Sequence, residues 1–401
     1  MASWHRFTLA AEPRIPLTPA DPDSSNPSLQ QGTLPPAPPW RRFLFEEDDF
    51  APYRVDAQRR WDALQSQQKE GPRAGRALDR ASSFFMADTP RFHAVVDAVN
   101  AALYLRRPLL LTGNPGSGKT SLAYTVADRL GLGPVLRWAI TPRSTLRDAL
   151  SSYDAVARLQ AVQLRRNQSE QSDQGVAPFI KLGPLGTAFL PWERPRVVLI
   201  DEIDKCDMSL PNELLELFEE GEFPIPELER EVRERKNEEK TKGPAKPSMV
   251  ATADPGGEAE VREGRVICRE FPLILLTSNG EREFPAAFNR RCLRVRMPEP
   301  SGDPEVLQQI VRNHLCRGVD AAKQAELLEA ARADIKAFAA KFAKSEGGQA
   351  SGPADLSVDQ LLNLVYVLHT GVGSSGDADA LDSETADRLR ELLLQALGNN
   401  E

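Results

Sequence analysis

Hydrophobic residues in this chain fall into short unbroken runs and longer periodic stretches, divided by glycine- and proline-rich breaks. The runs Leu109-Leu110-Leu111, Val135–Ile140, Val197–Ile200 and Leu273–Thr277 predict buried strands, and Leu293–Met297 predicts a further strand. Pro90–Leu105 carries Val95, Val96, Val99, Ala102 and Leu103 at helical spacing, and Pro108 stops that helix. Another helix is predicted from Lys119 to about Leu130. In Pro211–Glu220 the cluster Leu214, Leu215, Leu217 and Phe218 should pack on the sheet, leaving Glu213, Glu216, Glu219 and Glu220 as a solvated face. Strands alternating with helices imply an α/β fold built on a parallel sheet.

Beyond Pro304 the pattern turns helical, at Ala321–Lys344, Ser357–His369 and Asp382–Leu397. Breaks at Gly347-Gly348 and Gly371–Gly376 separate these helices into a small all-helical domain. Two stretches lack this order. Residues 1–39, ending Leu34-Pro35-Pro36-Ala37-Pro38-Pro39, bury too little to offset their entropy and are expected to form a disordered or polyproline-like arm. Trp40, Phe43, Phe45, Phe50, Tyr53 and Trp61 then supply a docking strap, with a helix over Val55–Gln68 ended by Gly71-Pro72. The interval 227–264 mixes Glu, Lys and Arg with Pro and Gly and is expected to be a mobile insertion. The expected division is an arm and strap (1–79), an α/β core (80–302) and a helical lid (303–401).

Composition narrows the function classes. With 41% hydrophobic and 27% charged residues the chain can build a sizeable core. Fifty basic against 58 acidic residues leave a net charge of −8, which argues against a dedicated nucleic-acid binder. Cys206, Cys268, Cys292 and Cys316 show no metal spacing, so buried free thiols in a reducing cytosol are expected. The four histidines are scattered, which supports neither a zinc site nor a histidine triad. No apolar run approaches the ~18 residues of a membrane helix. Met1 to Ala10 has no continuous apolar core of a signal peptide, so a cytoplasmic location is expected.

The chemistry is concentrated at strand ends. Gly113-Asn114-Pro115-Gly116-Ser117-Gly118-Lys119-Thr120, followed by Ser121, fills every position of a G-x-x-x-x-G-K-[ST] phosphate loop between a strand and a helix. Its glycines let successive N–H groups point at a triphosphate, and the helix N-terminus adds positive potential. Lys119 would reach the β- and γ-phosphates of ATP, and the Thr120 hydroxyl would bind Mg²⁺. The run Val197–Ile200 delivers Asp201 and Glu202 at its carboxyl end, where such sheets hold ligands. Asp201 suits Mg²⁺, and Glu202 suits a general base for water, which favours hydrolysis over transfer. Asn279 ends another buried strand, where its amide would orient the attacking water; a turn-forming Asn before Gly280 is the plainer alternative. Arg290 and Arg291 follow Phe288-Asn289, either to reach a neighbour's nucleotide or as a solvated basic pair.

This order of motifs resembles the AAA+ ATPases, and within them the MoxR-type branch. Further likenesses are Phe179-Ile180-Lys181-Leu182-Gly183-Pro184-Leu185-Gly186, Asp201-Glu202-Ile203-Asp204-Lys205 and Glu219-Glu220-Gly221-Glu222-Phe223. The resemblance spans about residues 80–370. It implies a hexameric ring with ATP at subunit interfaces, and a protein partner, in many relatives one with a von Willebrand factor A domain. It implies that Asn279 is the sensor-1 residue and Arg291, with Arg290 beside it, the arginine finger. Gly183–Leu190 would match an insertion in the second helix, and 227–264 would lie in the hairpin before the Asn-ended strand, both able to face pore or partner. Cys292 stands where many relatives have an aromatic, and Leu356–Leu362 offers no sensor-2 arginine. The expected function is chaperone-like remodelling or assembly of a protein; the alternative is a slow-turnover switch that signals by assembly.

Overall fold

The structure is a computed structural model that describes Phe7, Leu34 and residues 36–44, 47–69, 90–166, 175–238, 247–298, 303–316, 320–346, 358–369 and 383–393. Eleven strands occur among them: β1 (Leu109–Thr112), β2 (Leu136–Ala139), β3 (Ser151–Tyr153), β4 (Ile180–Leu182), β5 (Val197–Asp201), β6 (Glu222–Pro224), β7 (Ser248–Ala251), β8 (Glu258–Val261), β9 (Arg265–Ile267), β10 (Leu273–Ser278) and β11 (Leu293–Arg296). The main sheet has the order β11-β1-β10-β5-β2 and is parallel throughout. All five strands were predicted, but the edge strand β2 is buried on alternate positions only and β11 is half-buried to exposed along its length.

Because side chains alternate along a strand, the sheet feeds two cores. Leu110, Val198, Ile200, Ile274 and Leu276 enter one cluster. Leu109, Leu111, Val197, Leu199, Leu273 and Leu275 enter the other, with the helices Pro90–Leu105 and Lys119–Arg129. A third cluster joins the helices Pro304–Leu315, Arg332–Glu346 and Val358–His369, so the C-terminal helices have a core of their own. The run Ala321–Lys344 is two helices, Ala321–Ala330 and Arg332–Glu346, divided at buried Ala331 with no glycine or proline to mark the break.

Two expectations need correction. Phe7 and Leu34 are buried in the core against the helix Pro90–Leu105, and Phe7 exchanges backbone hydrogen bonds with the Asn100 amide at 3.0 and 2.9 Å. These two residues are anchors rather than parts of a disordered arm, because each brings a large apolar side chain into reach of the core; most of 1–39 lies outside the described residues. The interval 227–264 is largely ordered. It supplies most of the helix Pro226–Glu238 and the β7–β8 hairpin, held by a sparse set of buried residues: Leu228, Val232, Val250, Ala259 and Val261. Residues 239–246 lie outside the described part. Gly183–Leu190 is almost wholly buried within its own chain. A Cβ at Gly186 would come within 1.9 Å of the Leu150 carbonyl oxygen, so only glycine permits this contact.

Much of the aromatic strap packs on its own chain, although Trp40 is exposed and Phe45 lies outside the described residues. Phe43 lies on Phe271, Trp61 on Trp192, and Arg41 donates to the Phe218 carbonyl. The helix Arg54–Lys69 forms as predicted, while its proposed stop at Gly71-Pro72 lies outside the described residues. The helix Leu210–Glu220 ends at Gly221, whose φ of +65° and tight seat against the Phe43 ring both call for glycine.

Candidate nucleotide site

The site forms where β1, β5 and β10 end side by side. The phosphate loop leaves β1 with Gly113, Gly116 and Gly118 at φ of +145°, +76° and +81°. Those left-handed values suit glycine and let the loop turn its N–H groups inward. Lys119 opens the following helix and folds back over the loop, donating to the carbonyls of Gly113 (2.6 Å) and Asn114 (2.7 Å). Burial pushes its ammonium from the usual 10.5 down to about 8, against the opposing pull of Asp204, Asp201 and Glu202. The buried Ser117 hydroxyl has no hydrogen-bond partner among the described residues.

Asp201 is the hub of the carboxyl ends. Its Oδ1 accepts from the hydroxyls of Thr120 (3.1 Å) and Thr277 (2.7 Å), and its Oδ2 from both Nε and Nη2 of Arg137 (3.1 and 2.7 Å). Thr277 Oγ1 also accepts the N–H of Glu202 at 2.8 Å, so one hydroxyl sets both acidic residues. Glu202 sits at φ +62°, ψ +49°, a left-handed conformation uncommon for a non-glycine residue and frequent at functional sites. Its carboxylate is half-exposed and takes a 2.9 Å ion pair from Lys205. Thr120 and Asp201 therefore present hard oxygen donors together, the donor set that Mg²⁺ takes.

The structure brings Lys119, Thr120 and Asp201 together, with Glu202 tied to Asp201 through Thr277. The Asn279 N–H is held by Asp204 Oδ2 at 2.9 Å, at the end of β10 beside β5. Arg290 and Arg291 end the helix Ala286–Arg291; Arg291 pairs with Glu219, and Arg107 donates to both of their carbonyls. Among the described contacts neither arginine reaches the phosphate loop of its own chain. Sequence reasoning missed Arg137, Thr277, Asp204, Lys205 and Arg107 as members of the site. Only Arg137 leaves a readable mark, as a charge inside the apolar stretch Leu136-Arg137-Trp138-Ala139.

Sheet order and loop define a parallel α/β core of the phosphate-loop, nucleotide-binding kind. Residues 108–292 match the family model described as the AAA domain of the dynein-related subfamily. Over that segment the chain is similar to AAA domains, in keeping with the MoxR-type likeness of its motifs. No curated protein matches the sequence. Among solved structures, the chain is similar to NtrX from Brucella abortus in complex with ADP, at 14% identity and TM-score 0.36, covering 82% of this chain and 60% of that one. It is similar also to a putative ATPase from Cytophaga hutchinsonii at 13% identity and TM-score 0.34, covering 73% and 67% of the two chains. PCH-2 of C. elegans gives 14% identity and TM-score 0.33, covering 77% and 68%. No described helix is long and apolar enough to cross a membrane, and no described cluster of His, Cys, Asp and Glu is fit to hold a metal. The four cysteines are free and buried, as expected.

Proposed function

We propose that the chain is a Mg²⁺-dependent ATP hydrolase that acts in a ring, with each site completed by a neighbouring copy, and remodels or assembles a protein partner. The observation that carries this reading is the split of the machinery. Lys119, Thr120, Asp201 and Glu202 gather at the strand ends, while Arg290 and Arg291 end a surface helix and Arg291 is engaged by Glu219.

Backbone N–H groups of Gly116–Thr120 and the Lys119 ammonium would bind the phosphates of ATP; Lys119 would exchange its two carbonyls for phosphate oxygens. Thr120 and Asp201 would hold Mg²⁺, which when bound neutralises phosphate charge. Glu202 would take a proton from the attacking water once Lys205 releases its carboxylate. Asn279 would hold that water in line, and Arg291 of one copy would offset charge developing at the next copy's nucleotide. The hexameric state and a partner with a von Willebrand factor A domain are part of this proposal and rest on the MoxR-type likeness. The slow-turnover switch draws support from one observation: both carboxylates are held by cations, Asp201 by Arg137 and Glu202 by Lys205.

Mixing two inactive variants tests the shared site. Arg291→Ala and Lys119→Ala each should lose turnover, and a mixture should recover part of it, since intact Lys119 sites then meet intact Arg291 neighbours. A mixture as inactive as its parts would refute action across the interface.

A further inference from the structure

A cavity of about 110 Å³ lies where the helix Arg54–Lys69 meets the turn joining β7 to β8, and none of its lining residues belongs to the nucleotide site. Arg60 and Leu64 line it from the helix, Thr252 and Gly257 from the turn, and Trp192 from the core. Two of these side chains carry buried atoms with no hydrogen-bond partner among the described residues, Arg60 Nη1 and Thr252 Oγ1. Arg60 is only 5% exposed and Thr252 only 4%. The rest of the Arg60 guanidinium is engaged: Nε donates to Asp56 Oδ2 at 2.8 Å and Nη2 to the Pro191 carbonyl at 3.2 Å. A Cβ at Gly257 would come within 2.4 Å of Thr252 Oγ1, so the glycine leaves room beside that hydroxyl. Buried polar groups without partners are costly, and two on the wall of one cavity call for an occupant.

Arginine donates and never accepts, so the occupant must bring acceptor atoms to Nη1. The surrounding charges limit how negative it can be. Asp56 is shared between Arg59 and Arg60, which leaves one positive charge over. Asp254 is neutralised by Arg196, which donates to both its oxygens at 2.8 and 2.9 Å, and Glu258 adds an exposed, solvent-screened carboxylate. A single negative charge matches this setting, whereas a dianion such as phosphate would be repelled by Asp254 and Glu258. We propose that the cavity binds a small carboxylate, its oxygens taken by Arg60 Nη1 and the Thr252 hydroxyl and its carbon body seated on Trp192 and Leu64. Arg60 belongs to the strap helix and Thr252 to the hairpin turn, so the bound carboxylate ties these two elements together. It adds to a tie already present, the Glu260 N–H donated to Asp56 Oδ2 at 3.2 Å.

Propionate is the probe, titrated into the full chain by calorimetry against sodium chloride of equal ionic strength, with the unfolding temperature followed alongside. Binding should saturate, and the unfolding temperature should climb with the logarithm of propionate concentration. Thr252→Val exchanges an unpartnered hydroxyl for a methyl group. Without propionate its unfolding temperature should be equal or higher, while its propionate affinity falls about tenfold. Thr252→Ser keeps the hydroxyl and should bind as the unaltered protein does. If the valine variant does not fold, Thr252→Ala is read for affinity in its place. Propionamide, the same shape without the charge, should bind about tenfold more weakly or worse. A glutamate blocked at both ends carries the carboxylate as a protein side chain would: tighter binding than propionate assigns the site to a partner's acidic residue, equal or weaker binding to a free acid. No saturable binding means that water fills the cavity, and it overturns the proposal. Undiminished binding by Thr252→Val, or propionamide binding as well as propionate, overturns it too. ATP takes no part in these measurements, so their failure leaves the nucleotide site untouched.

Discussion

Arg196 offers a sharp energetic test of how the sheet is joined to the hairpin. Its side chain is fully buried, yet both terminal nitrogens donate to Asp254, at 2.8 and 2.9 Å. Nη2 also donates to the Pro134 carbonyl at 3.0 Å, and the guanidinium lies 4.9 Å from the Trp192 ring. Arg60 stacks on the same ring at 4.1 Å. Arg196→Met conserves much of the volume but strands the Asp254 carboxylate. Removing one partner of such a pair costs about 3–5 kcal/mol. Arg196→Met combined with Asp254→Leu removes both charges and should recover about 2 kcal/mol or more of that loss, since the two residues are coupled. Urea unfolding followed by tryptophan fluorescence reads this directly, because Trp192 touches the altered residue. A single-variant loss below about 1 kcal/mol, or strictly additive losses in the pair, would refute the reasoning.

Three further outcomes follow from the geometry. In the proposed function Lys119 would bind phosphate as its ammonium; burial lowers its titration to about 8, so ATP affinity should hold below that pH and fall as pH rises through it. Calorimetry between pH 7 and 9.5 checks this, and an affinity flat across that range would contradict it. Burial pushes the Cys206 thiol up to about 11 and the Cys292 thiol to about 12, so alkylation of the folded protein at pH 8 should be slow and become fast in denaturant. Phe7→Ala should destabilise the chain by about 3–5 kcal/mol if the N-terminal anchor is a true core residue, and by nothing measurable if it is not.

The sheet was legible because parallel strands covered on both faces read as uninterrupted apolar runs; β1, β5 and β10 stand out for that reason. The phosphate loop was equally plain, since its glycine spacing answers a steric need of the backbone. The interval 227–264 misled because charged residues outnumber the few apolar ones that anchor it, such as Leu228 and Val250. Phe7 misled for a related reason: one buried ring in a polar arm makes no period. Asp204 and Thr277 escaped notice because their roles depend on β5 and β10 lying side by side, a pairing that joins residues more than 70 positions apart. Arg137 belongs with them, reaching Asp201 from the edge strand β2.

The central claim is that Asp201, Glu202 and the loop form a hydrolytic site rather than a binding site alone. Phosphate release from ATP in the presence of Mg²⁺, by the unaltered protein and by Glu202→Gln, tests it most directly. ATP binding should persist in Glu202→Gln while turnover falls by about a hundredfold or more, the scale of a lost general base. Equal turnover in the two proteins, or no turnover in either across protein concentrations that permit assembly, would contradict it.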